Sequence, residues 1–104
     1  MTDQDFHHQQ LSGKQIRYLR SLGHKLKPVV MIGRQHVSEQ VIVSLEEALN
    51  THELVKIKLQ EGCLEDRHSV AEQLASKTHA VIAQVLGKTI LLYRPGEKQL
   101  INLP

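Results

Sequence analysis

A chain of 104 residues has room for one domain, and a domain of that size buries roughly two-thirds of the surface its unfolded form exposes. Hydrophobic residues at 40% and charged residues at 23% exclude a solenoid repeat, a low-complexity chain and wholesale disorder. No apolar run approaches the roughly 20 residues that span a bilayer, and the first ten residues are polar and acidic rather than leader-like, so a cytoplasmic protein without a membrane partner is expected. Residues 1–10 read as a flexible N-terminal segment and 11–104 as one domain. Cys63 is the only cysteine, which excludes an intrachain disulfide and a zinc site built on several thiolates. The net charge is only +2, but residues 6–38 hold no Asp or Glu and carry Lys14, Arg17, Arg20, Lys25, Lys27 and Arg34. Such a block suits a phosphate-binding surface or a solvated basic helix.

The first helix is announced by Ser12, a capping residue, with Gln15 three positions on to close a capping box and Leu11 placed to staple onto Ile16. Ile16, Leu19, Leu22 and Leu26 share one side, while Lys14, Arg17, Tyr18, Ser21, His24 and Lys25 share the other. Pro28 is expected to end this helix, and the apolar residues 29–32 read as a strand buried on both faces. Gly33 punctuates that strand. Ser38 caps the second helix, Glu39 suits its dipole, and Val41, Ile42, Leu45, Ala48 and Leu49 form its buried stripe.

Residues 52–59 alternate, with Val55, Ile57 and Leu59 on one face and Leu54, Lys56 and Lys58 on the other, which predicts a strand with one solvated side. Glu65 and Asp66 suit the start of a third helix that stops near His79, its core stripe being Val70, Ala71, Leu74, Ala75 and Thr78. Residues 80–86 and 89–93 form two antiparallel strands around Gly87-Lys88, a II′ turn sequence. Residues 99–104 read as a short edge strand or a tail packed by Leu100 and Leu103. The order α-β-α-β-α-β-β predicts an α/β two-layer sandwich on a four-stranded mixed sheet whose strand order stays open.

A strand ending in Gly, a short polar loop and a helix opening at a Ser cap together form an anion site, because loop and helix N–H groups converge where the dipole favours negative charge. Within Gly33-Arg34-Gln35-His36, Arg34 adds a bidentate phosphate donor and Gln35 a group able to reach sugar or base. Gly33 is required if the backbone must approach a phosphate closely or adopt positive φ.

Lys14-Gln15 and His24, residues 26–30 leading into Gly33, the run 52–58, Glu65-Asp66-Arg67, Gly87-Lys88-Thr89 and 92–95 together resemble the CRM domain, named for chloroplast RNA splicing and ribosome maturation, and its single-domain bacterial YhbY members. The resemblance implies an RNA-binding domain laid out like the C-terminal domain of translation initiation factor three. It also implies association with precursors of the large ribosomal subunit, and RNA contact through a Gly-x-x-Gly loop similar in role to that of KH domains. Gly33 matches the first glycine of that loop, whereas His36 stands at the second. Either the loop then holds RNA more loosely, or His36 adds a contact of its own by stacking on a base or donating to phosphate, the reading adopted here.

With Tyr18, Tyr93 and Phe6 as the only aromatics, backbone and shape recognition is favoured over stacking platforms. The seven histidines show no i, i+4 ligand pair, so neither a metal nor another cofactor is expected. No nucleophile, base and orienting group can be assembled from the pattern, which argues against an enzyme. The expected contact set is Lys14, Arg17, Lys25, Lys27 and Gly33 through His36, with Lys88 and Arg94 as further candidates, and the expected partner is ribosomal RNA or a pre-large-subunit particle. Lys56 and Lys58 either extend the basic surface or solvate a sheet face. The competing reading is a module that docks on a ribosomal protein through apolar parts of its sheet.

Overall fold

A computed structural model describes residues 11–104, so the N-terminal segment 1–10, with Phe6, His7 and His8, lies outside the described residues. The helix start expected at Ser12 forms as a complete capping box: Gln15 N–H donates to Ser12 Oγ at 3.1 Å, and Ser12 N–H donates to Gln15 Oε1 at 3.0 Å. This helix, α1, spans Gly13–Gly23 and ends five residues before Pro28. His24 keeps helical backbone and donates to Arg20 O at 3.1 Å, after which Lys25 N–H and Leu26 N–H close tighter turns on Leu22 O and Gly23 O. Gly23 lies close to the sheet: a Cβ there would stand 2.7 Å from the Leu91 side chain. Gly23→Ala is accordingly expected to destabilise the fold by roughly 1–3 kcal/mol through overpacking, measurable by urea denaturation.

The remaining elements are β1 (Val30–Ile32), α2 (Glu39–His52), β2 (Leu54–Leu59), α3 (Arg67–Thr78), β3 (Val81–Leu86) and β4 (Thr89–Tyr93). Their sheet order is β1-β2-β4-β3, with β1 parallel to β2 and the other pairs antiparallel. α2 and α3 cover one face, burying Leu45, Leu49, Val70 and Leu74 against Ile32, Val55, Ile57, Ile90 and Leu92. This is the expected two-layer unit. The opposite face carries a partial third layer, in which Leu19 of α1 packs with Leu54, Ala83, Leu91 and Tyr93, joined by Ile101 and Leu103 of the C-terminal tail.

That partial layer corrects the expectation for β1. The strand is an edge, and Met31 remains 45% exposed because α1 lies over β2, β4 and β3 and leaves β1 uncovered. Leu54, expected toward solvent, is buried for the complementary reason. A bulge at Ala83 in β3 breaks the ladder between Ile82 and Gln84, and Arg20 Nε donates to the Ala83 carbonyl at 3.1 Å. Arg20 is therefore a tie between α1 and the sheet.

The strand expected from His52 begins at Leu54, because His52 closes α2 and Glu53 turns the chain with φ of 67°. A positive φ is costly for a residue with a Cβ. Here the Glu53 carboxylate, 1% exposed, accepts N–H groups of Gly96 (3.0 Å), Leu100 (3.0 Å) and Ile101 (3.2 Å), so one side chain anchors the tail. No strand forms over 99–104; Ile101 and Leu103 pack this tail, while Leu100 stays exposed.

Candidate functional site

Parallel pairing of β1 with β2 brings three connections to one end of the sheet: the loop 33–36, the loop 60–66 and the Gly87-Lys88 hairpin. Gln60 N–H donates to Ile32 O at 2.8 Å and Leu59 N–H to Lys88 O at 2.7 Å, so backbone hydrogen bonds hold these connections beside one another. The hairpin has its positive φ at Gly87, as its sequence predicts, and Arg67 donates to Gly87 O at 3.0 Å.

The loop itself is a closed turn. His36 N–H donates to Gly33 O at 3.0 Å, and Ser38 Oγ accepts from Val41 N–H at 3.2 Å to start α2. Positive φ falls on His36, at 55°, and not on Gly33. Gly33 instead serves close packing: a Cβ there would stand 3.0 Å from Gln60 Oε1. The loop thus requires left-handed backbone at its fourth position, the conformation glycine adopts without cost and histidine tolerates better than most residues.

Arg34 and Gln35 are exposed, so both are available to a ligand. Lys88 shares a shallow groove with Met31, Lys58, Gln60 and Glu61 at the same end. Register explains the presence of Lys58, since it pairs with Met31 on one side and Thr89 on the other and shares the face that α1 leaves open. Sequence reasoning had left Lys58 outside the contact set; its alternation with Ile57 and Leu59 was the available signal. Acids stand here too, with Glu39 at the start of α2 and Glu65 ahead of α3. His36 Nδ1 lies 3.4 Å from Glu65 Oε1, a pairing between loops that no spacing rule foretells.

The other basic candidates lie elsewhere. Lys14 and Arg17 are exposed on α1, beside the tail to which Gln15 Nε2 donates at Pro104 O (3.2 Å). Lys25 and Lys27, expected near the end of the helix, sit exposed in the connector 24–29, because α1 ends at Gly23. Arg94 is at the far end of the sheet and is already engaged: it donates to Glu46 Oε1 (2.9 Å), Thr78 O (2.8 Å) and Asn50 Oδ1 (2.8 Å), joining β4 to α2 and α3. Its guanidinium is thus committed within the fold, away from the loop end. Arg94→Ala is expected to cost about 2 kcal/mol of stability by losing charge-assisted bonds, measurable by urea denaturation.

Among the described residues, no group of three or more His, Cys, Asp or Glu side chains is placed to hold a metal ion, and no helix is long and apolar enough to cross a membrane.

The chain and its fold have counterparts in known proteins. "Probable RNA-binding protein YqeI" of Bacillus subtilis is 39% identical over 95 residues, covering 90% of this chain and 99% of that protein. A Haemophilus influenzae protein named "RNA-binding protein" is 39% identical over 94 residues, covering 90% and 95% of the two chains. In three dimensions, the solution structure of protein SAV1595 from Staphylococcus aureus matches with a TM-score of 0.77 at 36% identity, over 91% of this chain and 100% of that one. The profile of the CRS1 / YhbY (CRM) domain matches residues 11–94, from the staple residue Leu11 to Arg94 at the end of β4. With sequence and fold in agreement over that span, the chain belongs to the CRS1 / YhbY (CRM) domain family.

Proposed function

We propose that this chain is a non-enzymatic RNA-binding protein that acts in the cytoplasm in assembly of the large ribosomal subunit, holding structured precursor ribosomal RNA mainly through phosphate and sugar contacts. The observation that carries the reading is the closed polar turn 33–36, with Arg34 and Gln35 exposed and left-handed backbone at its fourth residue, in a family whose curated relatives are named as RNA-binding proteins. Lys58 and Lys88 extend the contact beside the loop, and Lys14, Arg17, Lys25 and Lys27 provide a second basic area on α1 and its connector. Arg94 drops out of the contact set.

Exposed Met31 of β1 and Val29 just before it favour the second reading, in which this edge docks on a ribosomal protein. Crosslinking in cells, followed by mapping of the attached RNA, separates the two. Recovery of large-subunit precursor RNA, with an affinity that falls steeply as salt rises, supports the first, because each neutralised phosphate releases counterions. Recovery of a protein partner with little salt dependence and no RNA overturns it.

A further inference from the structure

The fourth loop residue carries a side chain where the backbone conformation favours none, and that side chain is tied to another element. His36 Nδ1 is buried and lies 3.4 Å from Glu65 Oε1, while Glu65 Oε2 accepts from Gln73 Nε2 of α3 at 3.3 Å. Gln73 is itself steadied by Ser69 Oγ at 3.3 Å. The His36–Glu65 distance is within ion-pair reach, yet the contact does not meet hydrogen-bond geometry, so Nδ1 is a buried nitrogen without a hydrogen-bond partner. The His36 side chain nevertheless remains 37% exposed.

Glu65 poses the complementary problem. A carboxylate beside a phosphate-binding loop repels the polyanion unless a cation stands between them. One state of the ring answers both difficulties, since an imidazolium donates from both nitrogens. Resting on the RNA-binding reading above, we infer that His36 and Glu65 form a proton-linked phosphate clamp: the complex takes up one proton from solvent at His36, whose Nδ1–H turns to Glu65 while Nε2–H donates to an RNA phosphate oxygen. The one bond made is the second imidazole N–H; its proton comes from hydronium, which is left as water.

The charged groups of the surrounding elements leave this role to Glu65. Asp66 is committed to the N–H groups of His68 and Ser69 as the cap of α3, and Arg67 donates to Gly87 O. Glu61, Cys63 and Lys88 line the groove next to Glu65, Glu39 stands exposed at the start of α2, and Arg34 is exposed in the same turn as His36. Because the clamp needs a donor on both ring nitrogens, affinity is expected to rise as pH falls through the range in which imidazoles change charge, about pH 8 to 5.

The test measures binding of a fluorescent hairpin from large-subunit ribosomal RNA at constant salt, at about pH 8 and about pH 6, for the wild-type protein, His36→Asn and Glu65→Gln. Asn accepts left-handed backbone and does not titrate, so the turn is kept while the proton site is removed. Wild type is expected to bind roughly tenfold tighter at the lower pH, the scale of one charge-assisted hydrogen bond. His36→Asn is expected to lose most of that gain, and Glu65→Gln to lose it without binding more weakly at the higher pH. Wild-type affinity that is flat in pH, or a Glu65→Gln profile as steep as wild type, overturns this inference and leaves the RNA reading standing. Absence of hairpin binding at both pH values overturns the two together.

Discussion

Glu53→Ala is expected to lower stability by roughly 3 kcal/mol, because one buried carboxylate is removed from three backbone donors at once. For a domain of this size that corresponds to a fall in Tm of roughly 12–24 °C. The amides of Gly96, Leu100 and Ile101 should lose hydrogen-exchange protection in the same variant, as the tail that helps α1 cover the sheet comes free. Glu53→Gly separates the two costs at this position. Glycine relieves the backbone at φ of 67° and is expected to be about 1 kcal/mol less damaging than alanine while still releasing the tail. The phenol of Tyr93 gives a further readout: burial, and secondarily the charge of Glu53, hold its pKa above the ordinary value of 10.0. The folded state therefore keeps a proton that the unfolded chain gives up, so this contribution to stability is complete below pH 10.0 and declines as pH rises beyond it. Glu53→Ala should move the Tyr93 ionisation, followed by ultraviolet absorbance, toward lower pH. An unchanged Tm in either variant would remove Glu53 from its anchoring role.

Arg34→Glu combined with Lys58→Glu is expected to weaken RNA binding by at least about a hundredfold and to flatten the log–log salt slope by roughly two phosphate equivalents. Both residues are exposed at the loop end of the sheet, so the thermal midpoint should stay close to wild type. Lys14→Glu with Arg17→Glu provides the comparison, since those side chains are exposed on α1 beside the tail. A smaller loss there assigns the main contact to the loop end. The reverse ranking places it on α1, and no loss in either pair argues against RNA contact through these basic groups.

The local signals were legible because each depended on neighbours a few positions away. The side chains of Ser12, Ser38 and Asp66 cap helices by accepting N–H groups two or three residues on, and Gly87 turns the hairpin, whatever packs above them. Resemblance to the family over residues 11–95 added the loop's importance, and the matching profile covers residues 11–94. Two errors share one cause. The open face of β1 and the burial of Leu54 both follow from where α1 lies on the sheet, and periodicity within one segment carries no information about a distant covering element.

The same division holds for the site. The sequence by itself determined that a glycine-ended strand, a polar turn and a Ser-capped helix follow one another, because turn and cap chemistry is local. Only the tertiary structure decided that positive φ rests on His36 and not Gly33, that Glu65 lies against the imidazole, that Lys58 joins the loop end and that Arg94 is engaged in holding β4 to α2 and α3. Each of these depends on which chain ends the sheet register brings together, a choice made by the burial of the whole core rather than by any one segment.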